Sequence, residues 1–289
     1  MRQYLECIQQ VLGHGEEVTD RTGVGTISVF GYQMRFDLND GFPAVTTKKL
    51  AWKSVVAETL WYLEGSTDER RLAELVYAKD RYELKDKRTV WTDNANAQGV
   101  ALGYVNNDNY KGLGPTYGEQ YRDSNGVDQI EKLLSSIKSN PNSRRHILNL
   151  WNVGEIDNMA LPPCLFMAQF HVRNEKLSCH TFARSQDLFL GTPFNLAQYA
   201  LLTHIIAREC GLGVGELIHT LGDAHIYLNH IEQVKKQLLR YPCPLPTLKI
   251  DDDFDLSDRL INGFRLDDVK KFQLLNYQHH ATIKAPMAV

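Results

Sequence analysis

Apolar and polar positions along the chain switch repeatedly between helical and strand spacing. The opening "MRQYLECIQQVL" has helical spacing and predicts a helix to about Leu12, after which "GTISVFGYQMRFDL" alternates as a strand does. "WKSVVAETLWYLEG" returns to helical spacing and ends at Gly65. "VDQIEKLLSSIKSNPNS" is an amphipathic helix closed by Pro141. Strand-like runs follow in "RHILNLWN", "LFMAQFHVR" and "KLSCHTFARS", then the most apolar helix, "NLAQYALLTHIIARECG". A further helix is expected in "HIYLNHIEQVKKQLLR" and a strand in "PTLKI"; beyond Ile250 the chain is polar until the tail "IKAPMAV". Residues from about Asp93 to Gly114, rich in Asn and Gly, are expected to form a surface excursion. Helices and strands mix without regular βαβ alternation, and no repeat or Ser/Gly linker divides them. The expectation is an α+β fold in a single domain over residues 1–289.

Composition narrows the class. With 289 residues, 43% apolar and 23% charged, the chain has the make-up of a soluble globular protein with a sizeable core. A net charge of −3 argues against a protein held on nucleic acid by bulk charge, but leaves room for a local basic pocket. The N-terminal helix carries acidic residues and lacks a signal peptide's apolar core, and no apolar run is long enough to span a bilayer. Five cysteines at irregular spacing, with no CxxC pair, suggest reduced thiols, no disulfide framework and no zinc site. The compartment expected is the cytoplasm.

Several clusters are not what a core would choose. "LPPCLFMAQF" puts Cys164 behind two prolines at the head of an apolar run. A cysteine there is either a small buried hydrophobe or a nucleophile, and the second needs positive charge nearby. "ARSQD" gathers Arg184, Ser185 and Asp187; "GTPFN" brings Asn195 to the start of the long apolar helix. "NSRRH" supplies Arg144 and Arg145, and "TDRTG" supplies Arg21. Arginines in loops of a net-acidic chain make a phosphate cradle plausible, because guanidinium forks match phosphate oxygens. Taken singly, each is better explained as a surface arginine. "GDAHIYLNH" offers His225 and Tyr227 at a spacing better suited to binding hydroxyls than metal.

The stretches "RTGVGT", "LWYLEGST", "GPTYGEQYR", "NSRRHIL", "WNVGEIDNMALPPC", "KLSCHTFARSQDLFLGTPFNLAQYALL", "GDAHIYLNH" and "IKAPMAV" together resemble the thymidylate synthase family, in that family's order and over nearly the whole chain. The insert around Tyr104–Tyr110 and the tail "MAV" are more like some viral members, for which the compartment would be host cytoplasm. The resemblance implies a mixed β-sheet packed with helices and a homodimer formed through the sheet. It implies 5,10-methylenetetrahydrofolate as co-substrate, no metal and no obligatory nucleic acid. Cys164 would add to C6 of a pyrimidine nucleotide, with Arg184 favouring its thiolate; C5 would then take up the one-carbon unit, which is reduced to methyl.

By the same resemblance, phosphate falls to Arg21, Arg184 and Ser185, with Arg144 and Arg145 reaching the partner's site. Asn195 would accept from uracil N3–H and donate to O4, a choice of dUMP over a cytosine nucleotide. His225 and Tyr227 would hold the sugar 3′-hydroxyl. Glu58, costly on an otherwise apolar helix, would be the hub of a proton-shuttling water network. Tyr117 would help remove the C5 proton and Asp187 would hold the pterin. Trp91 and Phe194 would flank the folate, Lys48 would meet its glutamate tail, and Val289 would close over the site.

Three positions depart from the family pattern. Leu165 stands where His normally follows the nucleophile, Ala183 where Gln precedes the Arg-Ser pair, and Leu221 where Gly usually precedes Gly-Asp. Water handling near the base must therefore differ. Relatives that let water trap the methylene intermediate make 5-hydroxymethyl pyrimidines, so a dUMP hydroxymethylase is the alternative; Trp91 and the intact tail favour methyl. A catalytically inactive nucleotide- or RNA-binding relative would not need Glu58, Cys164, Arg184 and Asn195 together. A cysteine hydrolase would need an oxyanion-type Gly motif beside Cys164, which is missing.

Overall fold

The computed structural model describes residues 1–19 and 23–287. In chain order the elements are α1 (Arg2–His14), β1 (Glu16–Val18), β2 (Thr26–Asp37), α2 (Trp52–Leu63), α3 (Glu69–Tyr77), α4 (Thr92–Asn94), α5 (Tyr117–Arg122), α6 (Gln129–Ser139), β3 (Ile147–Asn149), β4 (Leu165–Arg173), β5 (Lys176–Asp187), α7 (Gly191–Glu209), β6 (Gly213–Tyr227), α8 (Ile231–Leu238), β7 (Thr247–Ile250), α9 (Leu256–Asn262) and β8 (Phe272–Leu275). The main sheet has six strands in the order β1-β2-β6-β5-β4-β3; a second, two-stranded sheet pairs β7 with β8. All neighbours in the main sheet are antiparallel except β5 and β6, which run parallel and are joined through α7. Parallel neighbours need such a crossover, so one βαβ unit lies at the heart of an otherwise antiparallel sheet. The α+β expectation holds.

α7 is buried on nearly every side, which is why its apolar residues show no single stripe. It packs on β5 and β6, with α2 against it. One face of the sheet, carrying Ala168, Phe170, Leu177, Cys179, Leu217 and Leu221, forms the core with these helices. On the opposite face Met167 pairs with Phe182 and Gln169 with His180, while His180 donates or accepts at 2.8 Å with Thr220. That face stays partly open. At its β2 side Phe30 is 91% exposed.

One expectation about local structure is corrected, one strand was not foreseen, and one segment has more internal order than expected. Residues 225–240 are not one helix: His225–Tyr227 finish the long strand β6, and α8 begins only at Ile231. β6 itself went unforeseen, because Gly213, Gly215 and Gly222 interrupt its alternation. Gly222 is needed there, since a Cβ would stand 2.8 Å from the Arg184 carbonyl on β5. The 93–114 excursion lies largely at the surface, as expected, but has internal order. α4 runs into a π-helical turn, Ala95–Gly99, and Gly99 lies so close to Gly112 that a Cβ would come within 2.5 Å of its carbonyl.

The segment leading into this excursion is fastened by charges that the apolar pattern could not reveal. Glu69 and Arg70 in α3 are an ion pair wholly removed from water. Glu69 Oε1 also accepts from Thr89 Oγ1 (2.8 Å) and Thr92 Oγ1 (2.6 Å), and Arg70 donates to the Leu84 and Lys87 carbonyls (2.9 and 3.0 Å). Every formal charge thereby has a partner, which is the condition for tolerating it in a core. Removing only the cation should be severe. Arg70→Met is expected to lower the unfolding free energy by about 3–5 kcal/mol in urea titrations, and adding Glu69→Leu to recover part of that loss.

Candidate active site

Cys164 lies one residue before β4, at the end of a segment whose two prolines have no N–H to donate. The carbonyls of that segment are taken by one residue of the neighbouring strand. Arg184 donates from Nη2 to the Pro162 carbonyl (3.0 Å), from Nε to that of Pro163 (2.9 Å) and from its backbone N–H to that of Cys164 (2.8 Å). The Cys164 N–H donates to the Tyr117 hydroxyl at 2.8 Å. Both main-chain groups of the cysteine are thus held, and its side chain is only partly buried. Cys7 and Cys179 differ: burial pushes their thiols up to about 12, which makes them inert. The guanidinium of Arg184 also stands 5.5 Å from the Trp151 ring centre.

Glu58 occupies the middle of α2, 5% exposed. Burial raises its pKa to about 7, against the opposing hydrogen bonds from Trp91, Tyr62 and Gln198. Trp91 Nε1 donates to one carboxylate oxygen and Gln198 Nε2, from α7, to the other. Aromatic rings wall the group in: Tyr62 stacks on Tyr117 at 4.9 Å, and Trp91 meets Tyr117 edge-on at 5.9 Å. Burial holds the Tyr62, Tyr117 and Tyr121 phenols well above their ordinary range, so the tyrosines around Glu58 stay neutral while it titrates. An acid poised near neutrality in a closed aromatic box is suited to moving protons.

The parallel pairing of β5 with β6 sets Ser185 opposite Asp223 and Asp187 opposite His225, at the end of the strands where α7 begins. Asp187 receives the N–H groups of Phe189 (2.8 Å) and Leu190 (3.2 Å), so it organises the turn into α7. His225 is buried beside Tyr227, with ring centres 5.2 Å apart, and its Nδ1 lies 3.5 Å from Asp223. Asn195, in the first turns of α7, accepts from Gln186 Nε2 (2.9 Å) and donates to Gln198 Oε1 (3.0 Å). Phe194 is half-buried against the core beside it. Lys48 is turned inward: its ammonium donates to the Phe189 carbonyl and lies 3.6 Å from that ring's centre, and burial lowers its pKa to about 8.

Arg144 and Arg145 stand apart from this group. Both are exposed where the chain enters β3, and the Arg144 carbonyl is held by Gln169 at 3.1 Å. Gln169 is five residues further along β4 than Cys164, a run of roughly 17 Å at strand rise. Arg21 and Val289 lie outside the described residues. Four participants were not foreseen. Gln198 and Tyr62 carried no signal, since an amide or a tyrosine within an apolar run passes for ordinary core, and Gln186 was passed over between the more conspicuous Ser185 and Asp187. His230 is the fourth: it donates to the Pro286 carbonyl (2.6 Å) and lies 3.9 Å from Asp187, bringing the described end of the tail to the site. Although burial disfavours its charge, these two partners raise its pKa.

The three departures from the family pattern turn out to be neighbours. Leu165 pairs with Ala183 across β4 and β5, and Ala183 pairs with Leu221 across β5 and β6. They form one row under α7, 1%, 2% and 0% exposed. A change in one is therefore packed directly against the others.

A strand-head thiol, an acid titrating near neutrality and an amide set to meet a planar hydrogen-bonding edge suit covalent catalysis on a heterocyclic base. The thymidylate synthase family model matches residues 2–289, and the chain belongs to that family. The family's enzymes transfer a one-carbon unit from methylenetetrahydrofolate to dUMP. Among the described residues no group of three or more His, Cys, Asp or Glu side chains could hold a metal ion, and no helix is long and apolar enough to cross a membrane.

The raised pKa of Glu58 has a measurable consequence for folding. A carboxyl that holds its proton more tightly in the folded state loses stability as pH rises through the unfolded value and on through about 7. Glu58→Gln lacks this titration. Between pH 4 and pH 8 the stability difference should therefore shift in the variant's favour by about 3 kcal/mol, measured by urea unfolding at each pH.

Proposed function

We propose that the chain is a thymidylate synthase proper, converting dUMP and 5,10-methylenetetrahydrofolate to dTMP and dihydrofolate. Cys164 adds to C6 of uracil, and its removal at the end regenerates the 5,6 double bond. Addition makes C5 nucleophilic, and the co-substrate supplies both the carbon that C5 attacks and the hydride that reduces it. Glu58 exchanges protons with the base through its pKa near 7. Tyr117, kept a neutral phenol by burial, relays the C5 proton beside Cys164. Asn195 reads N3–H and O4. Arg21, Arg184, Ser185, His225 and Tyr227 hold phosphate and sugar; Asp187, Trp91, Phe194 and Lys48 meet the folate, Lys48 after swinging out from Phe189. Val289 closes the site.

The observation that carries the methyl product is the row Leu165–Ala183–Leu221. A buried row of three aliphatic side chains has no polar group to anchor a water. Where relatives could keep a solvent molecule near the base, this chain has a dry wall, which favours hydride over water as the trap for the methylene intermediate. A homodimer is proposed through the open sheet face of Met167, Phe182, His180 and Gln169, at whose edge Arg144 and Arg145 remain free of carboxylate partners among the described residues. The five free cysteines fit a cytoplasmic setting.

Mass spectrometry of the nucleotide made from dUMP and the folate is the direct test. Methyl product with dihydrofolate is expected; a hydroxymethyl product with tetrahydrofolate would establish the alternative, and no product would point to a binding protein. Cys164→Ser should lose at least about a thousandfold in kcat while binding dUMP within about threefold of the parent. Mixing Arg145→Ala with Cys164→Ser subunits should restore part of the activity, since one hybrid site keeps both groups.

A further inference from the structure

We propose that Gln186 and Gln198 are positioning residues for base choice: they hold the Asn195 amide in the one orientation that matches uracil. The proposal rests on the reading of the site as a dUMP site. Gln186, Asn195, Gln198, Glu58 and Trp91 form a single chain of hydrogen bonds from the end of β5, across α7, to α2 and the turn before α4. Gln186 Nε2 donates to Asn195 Oδ1, Asn195 Nδ2 to Gln198 Oε1, Gln198 Nε2 to Glu58, and Trp91 Nε1 to the other Glu58 oxygen. Both glutamines are buried, 2% and 4% exposed, so their amides have no water with which to exchange partners.

The direction of this chain is dictated from the Glu58 end. An indole N–H can only donate and Glu58, in its ionised form, can only accept, so the direction is set whenever Glu58 has given up its proton. Gln198 must therefore turn its NH2 to Glu58, which leaves its carbonyl for Asn195. Asn195 must answer with its own NH2, which leaves its carbonyl for Gln186. Turning any one amide over would set oxygen against oxygen or nitrogen against nitrogen at about hydrogen-bond distance, with no solvent to relieve it.

The other end offers no competing anchor. Gln186 Oε1 is buried with no hydrogen-bond partner, so Gln186 follows Asn195 and not the reverse. Its amide is nonetheless boxed in, because even a Cβ on Gly191 would stand 3.2 Å from Nε2. Gln186 therefore buttresses the orientation that Gln198 sets.

Each amide oxygen has a second lone pair and each amide nitrogen a second hydrogen. Asn195 thus keeps one acceptor and one donor for a ligand, in fixed places. Uracil N3–H and O4 meet that pair; cytosine N3 and its 4-amino group need it reversed. To welcome cytosine, Asn195 would have to break with both glutamines at once. Asn195 by itself is symmetrical enough in shape to serve either base, so the discrimination lies in what pins it.

The test compares Gln198→Met and Gln186→Leu, both near-isosteric, by kcat/KM for dUMP and dCMP and by dissociation constants for both nucleotides. Gln198→Met should lower the dUMP-to-dCMP ratio roughly tenfold or more, by loss of the pinning. It should also move the Glu58-dependent limb of the pH profile to higher pH, because a donor to the charged form is gone. Gln186→Leu, which does not touch Glu58, should lower the ratio several-fold and leave the pH profile in place. A general weakening of the fold would not separate the two variants in this way. If both keep the wild-type ratio in turnover and in binding, the proposal is overturned; if one fails to fold, the other decides. Absence of dUMP turnover by the wild type would instead count against the functional reading, and the binding ratios would still test the pinning.

Discussion

A carboxylate enclosed between two apolar helices governs the centre of this molecule. Glu58 lies where α2 meets α7, a contact otherwise made of apolar and aromatic side chains. An unpaired charge there would undo the packing. It is tolerated because Trp91 and Gln198 each donate to it, and because its pKa has risen until the proton can come and go near neutral pH. The same two donors carry its influence outward. Trp91 ties it to the segment after α3, and Gln198 ties it to the Asn195 amide.

Much of the surrounding architecture serves to keep those two donors in place. Trp91 lies between Thr89 and Thr92, and both hydroxyls end on Glu69, whose charge is matched by Arg70. A buried ion pair contributes little net stability, but once satisfied it fixes geometry strictly, since every alternative strands a charge. Gln198 is fixed by α7, whose start is organised by Asp187 at the end of β5. The βαβ unit thus brings Ser185 and Asp187 of β5, Asp223 and His225 of β6 and Asn195 of α7 to one end of two parallel strands. Cys164 joins them from β4 because Arg184 holds the carbonyls of its diproline segment.

The row Leu165–Ala183–Leu221 shows how substitutions far apart in sequence act as one. Positions 165, 183 and 221 meet only because β4, β5 and β6 pair in this register. Replacing a polar group in such a row leaves its neighbours facing an apolar wall, where a remaining polar group would lack partners. An all-aliphatic row is the self-consistent solution. The polar groups that hydrogen-bond Asn195 come instead from α7 and the end of β5, as Gln198 and Gln186.

The helices α1, α2, α6 and α7 and the strands β2, β4 and β5 were legible because apolar side chains repeat there at the period of the element. The candidate nucleophile, Glu58, Asn195 and the Arg-Ser pair were legible through the family's motifs, which are local runs of residues. β6 was not, since its glycines answer to close approach by β5 and its inward His219 to a hydroxyl on Thr181, 2.6 Å away. α3 was obscured because charged residues stand at its buried positions, and only their mutual pairing explains them. Chain order therefore determined which residue types were available and most of the elements that carry them. Which amide faces which, which charge finds its partner and which substitutions adjoin were decided by tertiary structure alone, because hydrogen bonds and ion pairs form between groups brought together in space and leave no period in the sequence.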